Sequence, residues 1–125
     1  MYHNKRTSDI KRAQKSSLLQ KIISDLFLQA SLDDQMLQGL SVTRVQLSPD
    51  KSVCEVFFMT QEGASEQFDQ KLSRLILYKP SLRAALAKQI AGRYTPNLVF
   101  KYDIQEEKAQ KIDVLLMKLK EKGEL

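Results

Sequence analysis

The residues with the clearest chemical capacity are lysines and arginines gathered in one stretch without acidic neighbours. Between Gln70 and Tyr102 there are seven basic side chains and no aspartate or glutamate. They are Lys71, Arg74, Lys79, Arg83, Lys88, Arg93 and Lys101. Such a stretch can follow a phosphate backbone, because each phosphate that a cation neutralises releases counterions. The alternative is the solvated side of two helices, although such a side usually carries charges of both signs.

A second basic group lies near the N-terminus, where Lys11, Arg12 and Lys15 precede the first apolar positions. It would extend the same footprint if the first helix lies beside the third, and would otherwise be a solubilising helix end. Residues 25–69 are acidic by contrast, so the net charge of +5 hides two basic segments separated by an acidic one. The charge pattern therefore predicts a polyanionic partner, with nucleic acid as the first class to consider.

Three tyrosines could add to nucleic-acid binding. Tyr78, Tyr94 and Tyr102 could stack on unpaired bases, or could instead pack at the edge of the core. The sequence contains no GxxG, the loop with which ordinary KH modules clamp nucleotides. RNA binding is therefore expected to depend on phosphates and on the shape of a folded RNA.

No grouping of residues indicates catalysis, a metal site or a cofactor. His3 is the single histidine, and Cys54 is the single cysteine, so neither has a partner of its own kind. The acidic pairs at 33–34 and 106–107 are adjacent in sequence, and neighbouring side chains point in different directions. They predict a loop and an acidic first turn of a helix. The sequence thus predicts a protein that is not an enzyme.

The spacing of apolar residues predicts four helices and three strands. The helices are expected over 8–31, 65–78, 80–91 and 106–120, and the strands over 40–48, 53–59 and 98–102. Apolar faces are predicted at Leu18, Leu19, Ile22, Ile23, Leu26 and Phe27, at Phe68, Leu72, Leu75 and Ile76, at Leu82, Ala85, Leu86 and Ile90, and at Ile112, Leu115, Leu116 and Leu119. This order predicts an α+β fold in which helices cover one face of a three-stranded sheet.

Details of two elements follow from particular residues. In the first strand the alternation predicts Thr43, Val45 and Leu47 on one face and Val42, Arg44 and Gln46 on the other. Pro80 lacks a backbone donor and disfavours helical geometry at the residue before it, so a break is expected between the second and third helices.

The chain is expected to form a single domain, residues 1–125, with a core over 8–105 and a C-terminal helix over 106–120. Its length suits one hydrophobic core. No run approaches the roughly 20 apolar residues that a membrane helix needs, and the polar N-terminus does not look like a signal peptide. The sequence therefore predicts a cytoplasmic protein with no membrane partner.

Three strings resemble the ribosome-binding factor A family. They are the hairpin Arg44–Phe58 with its Ser48-x-Asp50 turn, the segment Arg93–Phe100 with Pro96 at its centre, and Lys111–Leu116. Two positions depart from the family pattern. Tyr78-Lys79-Pro80 stands where the family has Ala-x-Gly, and Asp33-Asp34-Gln35 stands where it has Asp-Pro-Arg.

The resemblance implies a type II KH-like fold, α-β-β-α-α-β, here followed by an additional helix. It also implies a non-catalytic monomer that binds the free 30S ribosomal subunit or its precursor and supports late 30S assembly and 16S rRNA 5′-end maturation. The implied partner is 16S rRNA rather than DNA. Two alternatives remain open at this point: a generic α+β module that binds nucleic acid or protein, and a small enzyme with an unrecognised site.

Overall fold

The computed structural model describes residues 5–90 and 94–123. Within these ranges the elements are α1 (Lys5–Asp33), a 3-10 turn (Gln35–Leu37), β1 (Leu40–Leu47), β2 (Val53–Thr60), α2 (Ser65–Leu77), α3 (Lys79–Gln89), β3 (Asn97–Tyr102) and α4 (Ile104–Glu121). The predicted order and fold class are confirmed, with bounds that differ by a few residues. None of the described helices is both long enough and apolar enough to span a bilayer.

The sheet has the order β1-β2-β3, with β1 antiparallel to β2 and β3 parallel to β2. A parallel pair needs a long crossover, and α2 and α3 supply it. Cys54, Val56 and Phe58 alternate toward the helices, where α1, α2 and α3 complete one apolar core. Phe58 lies at its centre, with its ring centroid 5.2 Å from that of Phe27 and 5.6 Å from that of Phe100.

The helices bury most of the predicted apolar faces. Leu19, Ile23 and Phe27 of α1 are almost fully buried, whereas Leu18 is 55% exposed. Ile76 of α2 is likewise 47% exposed, so the prediction was wrong at these two positions, which flank the buried stripe. No described side chain of α1 before Leu19 is buried, so the basic half of this helix extends past the core as predicted.

A β-bulge changes which side chains of β1 face the core. Val42 pairs with Phe58 and Arg44 with Phe57, which leaves Thr43 as the extra residue. Val42 consequently packs against the core together with Val45. The predicted alternation was therefore wrong at Val42 and Thr43, because one extra residue reverses the facing of all residues before it.

The turn between β1 and β2 is held by its own side chains. The Ser48 and Ser52 hydroxyls both donate to Asp50 Oδ1 at 2.7 Å, and the Ser52 backbone N–H donates to the same atom at 3.1 Å. These hydrogen bonds, from Ser52 and then from Ser48, lower the pKa of Asp50 to about 2. Lys51 follows with a φ of 63°, in the left-handed region. The predicted turn is confirmed, and it places Lys51 at the tip.

A single residue separates α2 from α3. Tyr78 ends α2 and precedes α3, and its backbone N–H donates to the Leu75 carbonyl at 3.0 Å. Pro80 lies in the first turn of α3, where a helix does not need the missing backbone donor. The predicted break is confirmed.

Asp103 fixes the start of α4 against the sheet. It is 1% exposed and accepts hydrogen bonds from Thr43 Oγ1 at 2.6 Å, Glu106 N at 3.0 Å and Arg44 Nε at 3.1 Å. Burial alone would raise the pKa of Asp103, but the donors, Thr43 first, outweigh it and hold this pKa below its usual value. Sequence reasoning missed Asp103, although an Asp three residues before a Glu is a typical helix start.

Beyond this start, α4 leaves the core. None of its described side chains is buried, and the apolar side chains of Ile112, Leu115 and Leu116 are each about half exposed, at 57%, 57% and 46%. The predicted amphipathic helix is present, with its apolar side directed to solvent. Glu106 and Glu107 occupy its first turn, as predicted.

Candidate nucleic-acid interface

The structure distributes the described basic residues over both ends of the sheet and, for Lys101, the sheet face opposite the helices. One end carries the turn of residues 48–52, and the Asn97 N–H that begins β3 donates to the Ser52 carbonyl there at 2.9 Å. We call this the turn end. The opposite end carries Asp34 and the 3-10 turn that precedes β1, and we call it the Asp34 end. The long basic stretch is therefore not one continuous surface.

At the Asp34 end, two of the predicted RNA-binding residues form contacts within the chain. Arg74 Nε forms an ion pair with Asp34 Oδ2 at 2.7 Å, and the Tyr78 hydroxyl donates to the same oxygen at 2.7 Å. Lys71 Nζ donates to the Gln38 carbonyl. The hydrogen bonds from Tyr78 and Arg74 lower the pKa of Asp34, and its carboxylate raises the pKa of Arg74. These contacts join α2 to the segment before β1.

Lys101, in the same basic stretch, is also neutralised. Its Nζ lies 2.7 Å from Glu55 Oε2 on the sheet face opposite the helices. Lys79, at the start of α3, lies with its Nζ 5.3 Å from the Phe100 ring centroid, a cation–π contact at the edge of the core. Both side chains thus have partners within the chain.

Arg83 is held in place without being neutralised. Its Nη2 donates to the Thr95 carbonyl at 3.1 Å and its Nε to the Pro96 carbonyl at 3.3 Å. The described residues place no carboxylate in an ion pair with Arg83. A guanidinium bound to neutral carbonyls keeps its net charge, so Arg83 presents a fixed cation at the turn end. Lys88 lies exposed further along α3.

The N-terminal basic group borders the same end. Lys11 and Arg12 line a cleft of about 710 Å³ between α1 and the turn, together with Pro49 and Lys51. Arg12 lies 3.6 Å from Asp9, whereas Lys11 is exposed and Lys15 is half-buried further along α1. α1 packs beside α3, while Lys11 and Arg12 line the cleft at the turn and Arg83 lines a separate pocket beside Thr95. A footprint shared by this group and Arg83 stays a prediction. Lys51 was not among the predicted residues, although its position after Pro-Asp in a turn indicated an exposed tip.

The three tyrosines that could stack on bases differ in how exposed their rings are. Tyr78 is bound to Asp34, and the Tyr102 ring packs 6.0 Å from that of Phe68. Burial is the main cause of the raised pKa of Tyr102. Tyr94 by contrast is 68% exposed just before β3. Of these three, Tyr94 has a ring free to stack.

The residues considered for chemistry do not assemble a reactive site in the described part of the chain. Cys54 is fully buried in β2, and burial, with a smaller effect of Glu55, raises the pKa of its thiol to about 12. Residues 5–90 and 94–123 contain no cluster of three or more His, Cys, Asp or Glu that could hold a metal. His3 and the predicted RNA-binding residue Arg93 lie outside the described residues.

Comparisons with known proteins agree on one family. The family model of ribosome-binding factor A matches residues 11–116. The chain is 31% identical over 112 residues to ribosome-binding factor A of Methylocella silvestris, covering 88% of this chain and 71% of that protein. It is 33% identical over 112 residues to ribosome-binding factor A of Coxiella burnetii, covering 89% and 84%.

The fold agrees as well. The structure is similar to the crystal structure of ribosome-binding factor A from Thermus thermophilus, with a TM-score of 0.59 and 28% identity. The similarity covers 73% of this chain and 93% of that one. The matched segment 11–116 includes the turn end, the Asp34 end and the whole sheet.

Proposed function

The chain belongs to the ribosome-binding factor A family, and from this membership we propose that it binds the free small ribosomal subunit (30S) or its precursor. In this proposal it contacts 16S rRNA, supports late assembly of the subunit and maturation of the 16S 5′ end, and acts as a monomer in the cytoplasm. The family is named for binding rather than for a reaction, which supports a role without catalysis. The free energy of binding, rather than bond chemistry, would then carry the function.

We further propose that the turn end provides the RNA-binding surface. Its members are cations without a carboxylate bonded to them in the described structure, apart from Arg12. We define this turn-end surface as Lys11, Arg12, Lys15, Lys51, Arg83 and Lys88. The observation that carries the proposal is Arg83, which is fixed by two carbonyls and keeps its charge. Arg74 and Lys101 are paired with carboxylates and contribute less to an external field.

The mode of binding follows from the chemistry of this surface. Lysine and arginine reach phosphates from many directions, and such contacts position a protein without reading sequence. A folded rRNA presents phosphates in a fixed arrangement, so cations carried on helices and a turn of fixed geometry can select its shape. Binding should therefore weaken steeply as salt rises, because each neutralised phosphate releases counterions.

Charge reversal at the turn end tests the surface. Lys11→Glu, Lys51→Glu and Lys88→Glu change exposed side chains, so folding should be retained. We expect weaker binding to purified 30S subunits, and a log–log salt slope reduced by about 0.7 to 0.9 for each phosphate that the variant no longer neutralises. Filter binding or sedimentation at several salt concentrations measures both quantities.

A matched control separates the surface from total charge. Lys118→Glu, Lys120→Glu and Lys122→Glu impose the same change in net charge on exposed positions at the end of α4. This triple variant should keep the salt slope of the unaltered protein. Equal decreases in affinity of the two triple variants would contradict the assignment of the interface to the turn end.

Sedimentation of cell extracts tests the function itself. The protein should migrate with free 30S subunits and be depleted from translating ribosomes. A protein that never comigrates with free subunits, or that is equally abundant on translating ribosomes, would contradict the proposal. Short single-stranded oligonucleotides bound as tightly as whole subunits would instead favour a generic nucleic-acid module.

A further inference from the structure

A pocket lies beside Arg83, between α3 and the segment that leads into β3. It encloses about 390 Å³ and is lined by Pro80, Arg83, Ala84, Ala87, Tyr94 and Thr95. The helix positions 80, 84 and 87 fall on one side of α3, because residues three and four apart are neighbours on a helix. Their small side chains leave room above the helix, so the pocket has an apolar floor.

The walls of the pocket are an aromatic ring and a cation. Tyr94 is 68% exposed and lines the pocket, so its ring is accessible to a ligand there. Arg83 is anchored by the carbonyls of Thr95 and Pro96, so its guanidinium has a defined place at the rim. An apolar floor, a ring and a fixed cation suit a flat aromatic ligand that carries a negative charge.

We propose that this pocket receives one unpaired base of an RNA strand, stacked on Tyr94 and with a neighbouring phosphate at Arg83. The inference rests on the proposed function, and it specifies which part of the RNA binds at this site. Charge complementarity favours RNA over an apolar peptide, since Arg83 is a cation and none of the residues that line the pocket is acidic. A nucleotide supplies both the π face and the anion that these side chains can bind.

Substitution of Tyr94 tests the stacking contact in the full-length protein bound to 30S subunits. Tyr94→Ala should weaken binding about 5- to 150-fold, the range that base–aromatic stacking supports. Tyr94→Phe keeps the ring and should bind like the unaltered protein. Because Tyr94 is exposed, the urea unfolding midpoints of both variants should match that of the unaltered protein. Unchanged affinity of Tyr94→Ala would overturn the inference.

Filling the pocket provides a second test that leaves the ring intact. Ala84 is exposed on α3, so Ala84→Leu should fold normally while its larger side chain occupies the space for the base. Ala109→Leu, at an exposed position of α4, is the matched control. We expect the first to weaken 30S binding and the second to leave it unchanged. Equal affinities for these two variants would contradict a ligand in the pocket.

Crosslinking identifies the ligand class. With p-benzoylphenylalanine in place of Tyr94, irradiation of the complex with 30S subunits should attach the protein to 16S rRNA. Attachment to a ribosomal protein alone would overturn the inference in favour of a protein ligand. The proposed function fails separately, by absence of 30S binding in the unaltered protein, so the two failures are distinguishable.

Discussion

Arg74 and Arg83 carry the same guanidinium group but meet different acceptors. Arg74 bonds to the Asp34 carboxylate, which cancels its charge, and Arg83 bonds to two backbone carbonyls, which do not. The first arrangement stabilises the fold, and the second leaves a fixed cation for an external anion. At the scale of single residues, the partner therefore decides whether an arginine is structural or available for binding.

Asp103 offers a stability prediction at the same scale. Asp103→Ala should lower the free energy of unfolding by about 2 kcal/mol or more, because α4 loses its cap and Thr43 and Arg44 lose a buried acceptor. Urea denaturation measures the change. Asp103→Asn keeps a capping oxygen and should cost less, and the exposed Asp113→Ala should stay within about 0.5 kcal/mol. If Asp103→Ala left the free energy of unfolding unchanged, this residue would not be what holds α4 to the domain.

At the scale of elements, helix boundaries and helix packing have different origins. The break between α2 and α3 follows from Pro80, a local constraint that the sequence states directly. The apolar side of α4 was also visible in the sequence, yet in the structure it faces solvent. Periodicity shows that a helix has an apolar side, but it does not show which surface, if any, covers that side.

Truncation of α4 tests how little this helix contributes to folding. A chain that ends at Lys111 keeps the two turns nearest Asp103 and removes residues 112–125, whose described side chains are not buried. Its free energy of unfolding should change by no more than about 1 kcal/mol, since little apolar area is removed from the core. Urea denaturation is again the measurement. A decrease of several kcal/mol would mean that α4 packs on the domain in solution.

At the scale of the whole molecule, the two ends of the sheet use their charges differently. At the Asp34 end, Arg74 is paired with a carboxylate, and this contact joins α2 to the segment before β1. The turn end gathers cations from α1, the hairpin turn and α3 that carry few such pairs. In the proposed arrangement the positive field is concentrated at the turn end, which the net charge of +5 alone does not indicate.

Acid stability depends on carboxylates spread over the whole molecule. Asp34, Asp50 and Asp103 all have lowered pKa values, and that of Asp50 falls to about 2. A depressed pKa stabilises the folded state above the unfolded pKa near 4, and this contribution is lost as pH falls through the folded pKa. We therefore expect the free energy of unfolding to decrease between about pH 4 and pH 2.

Two variants test how much of this loss of stability is caused by protonation of Asp50. Asp50→Asn should flatten the dependence of stability on pH in that window, measured by urea denaturation at a series of pH values. Asp113→Asn removes one carboxylate from an exposed position of α4 and should leave the slope unchanged. The same slope in both variants would contradict a stabilising role for the Asp50 carboxylate.

The sequence by itself determined the element order, the hairpin turn, the helix break and the family, because apolar periodicity, turn residues and proline act over a few neighbouring positions. Tertiary structure decided which cations remain available. Arg74 contacts Asp34, which is 40 residues away in the sequence, and Thr43 contacts Asp103, which is 60 residues away. The bulge at Thr43 and the exposure of Tyr94 likewise depend on packing between distant segments. Such contacts form only when distant segments fold against each other, so the spacing of neighbouring residues does not predict them.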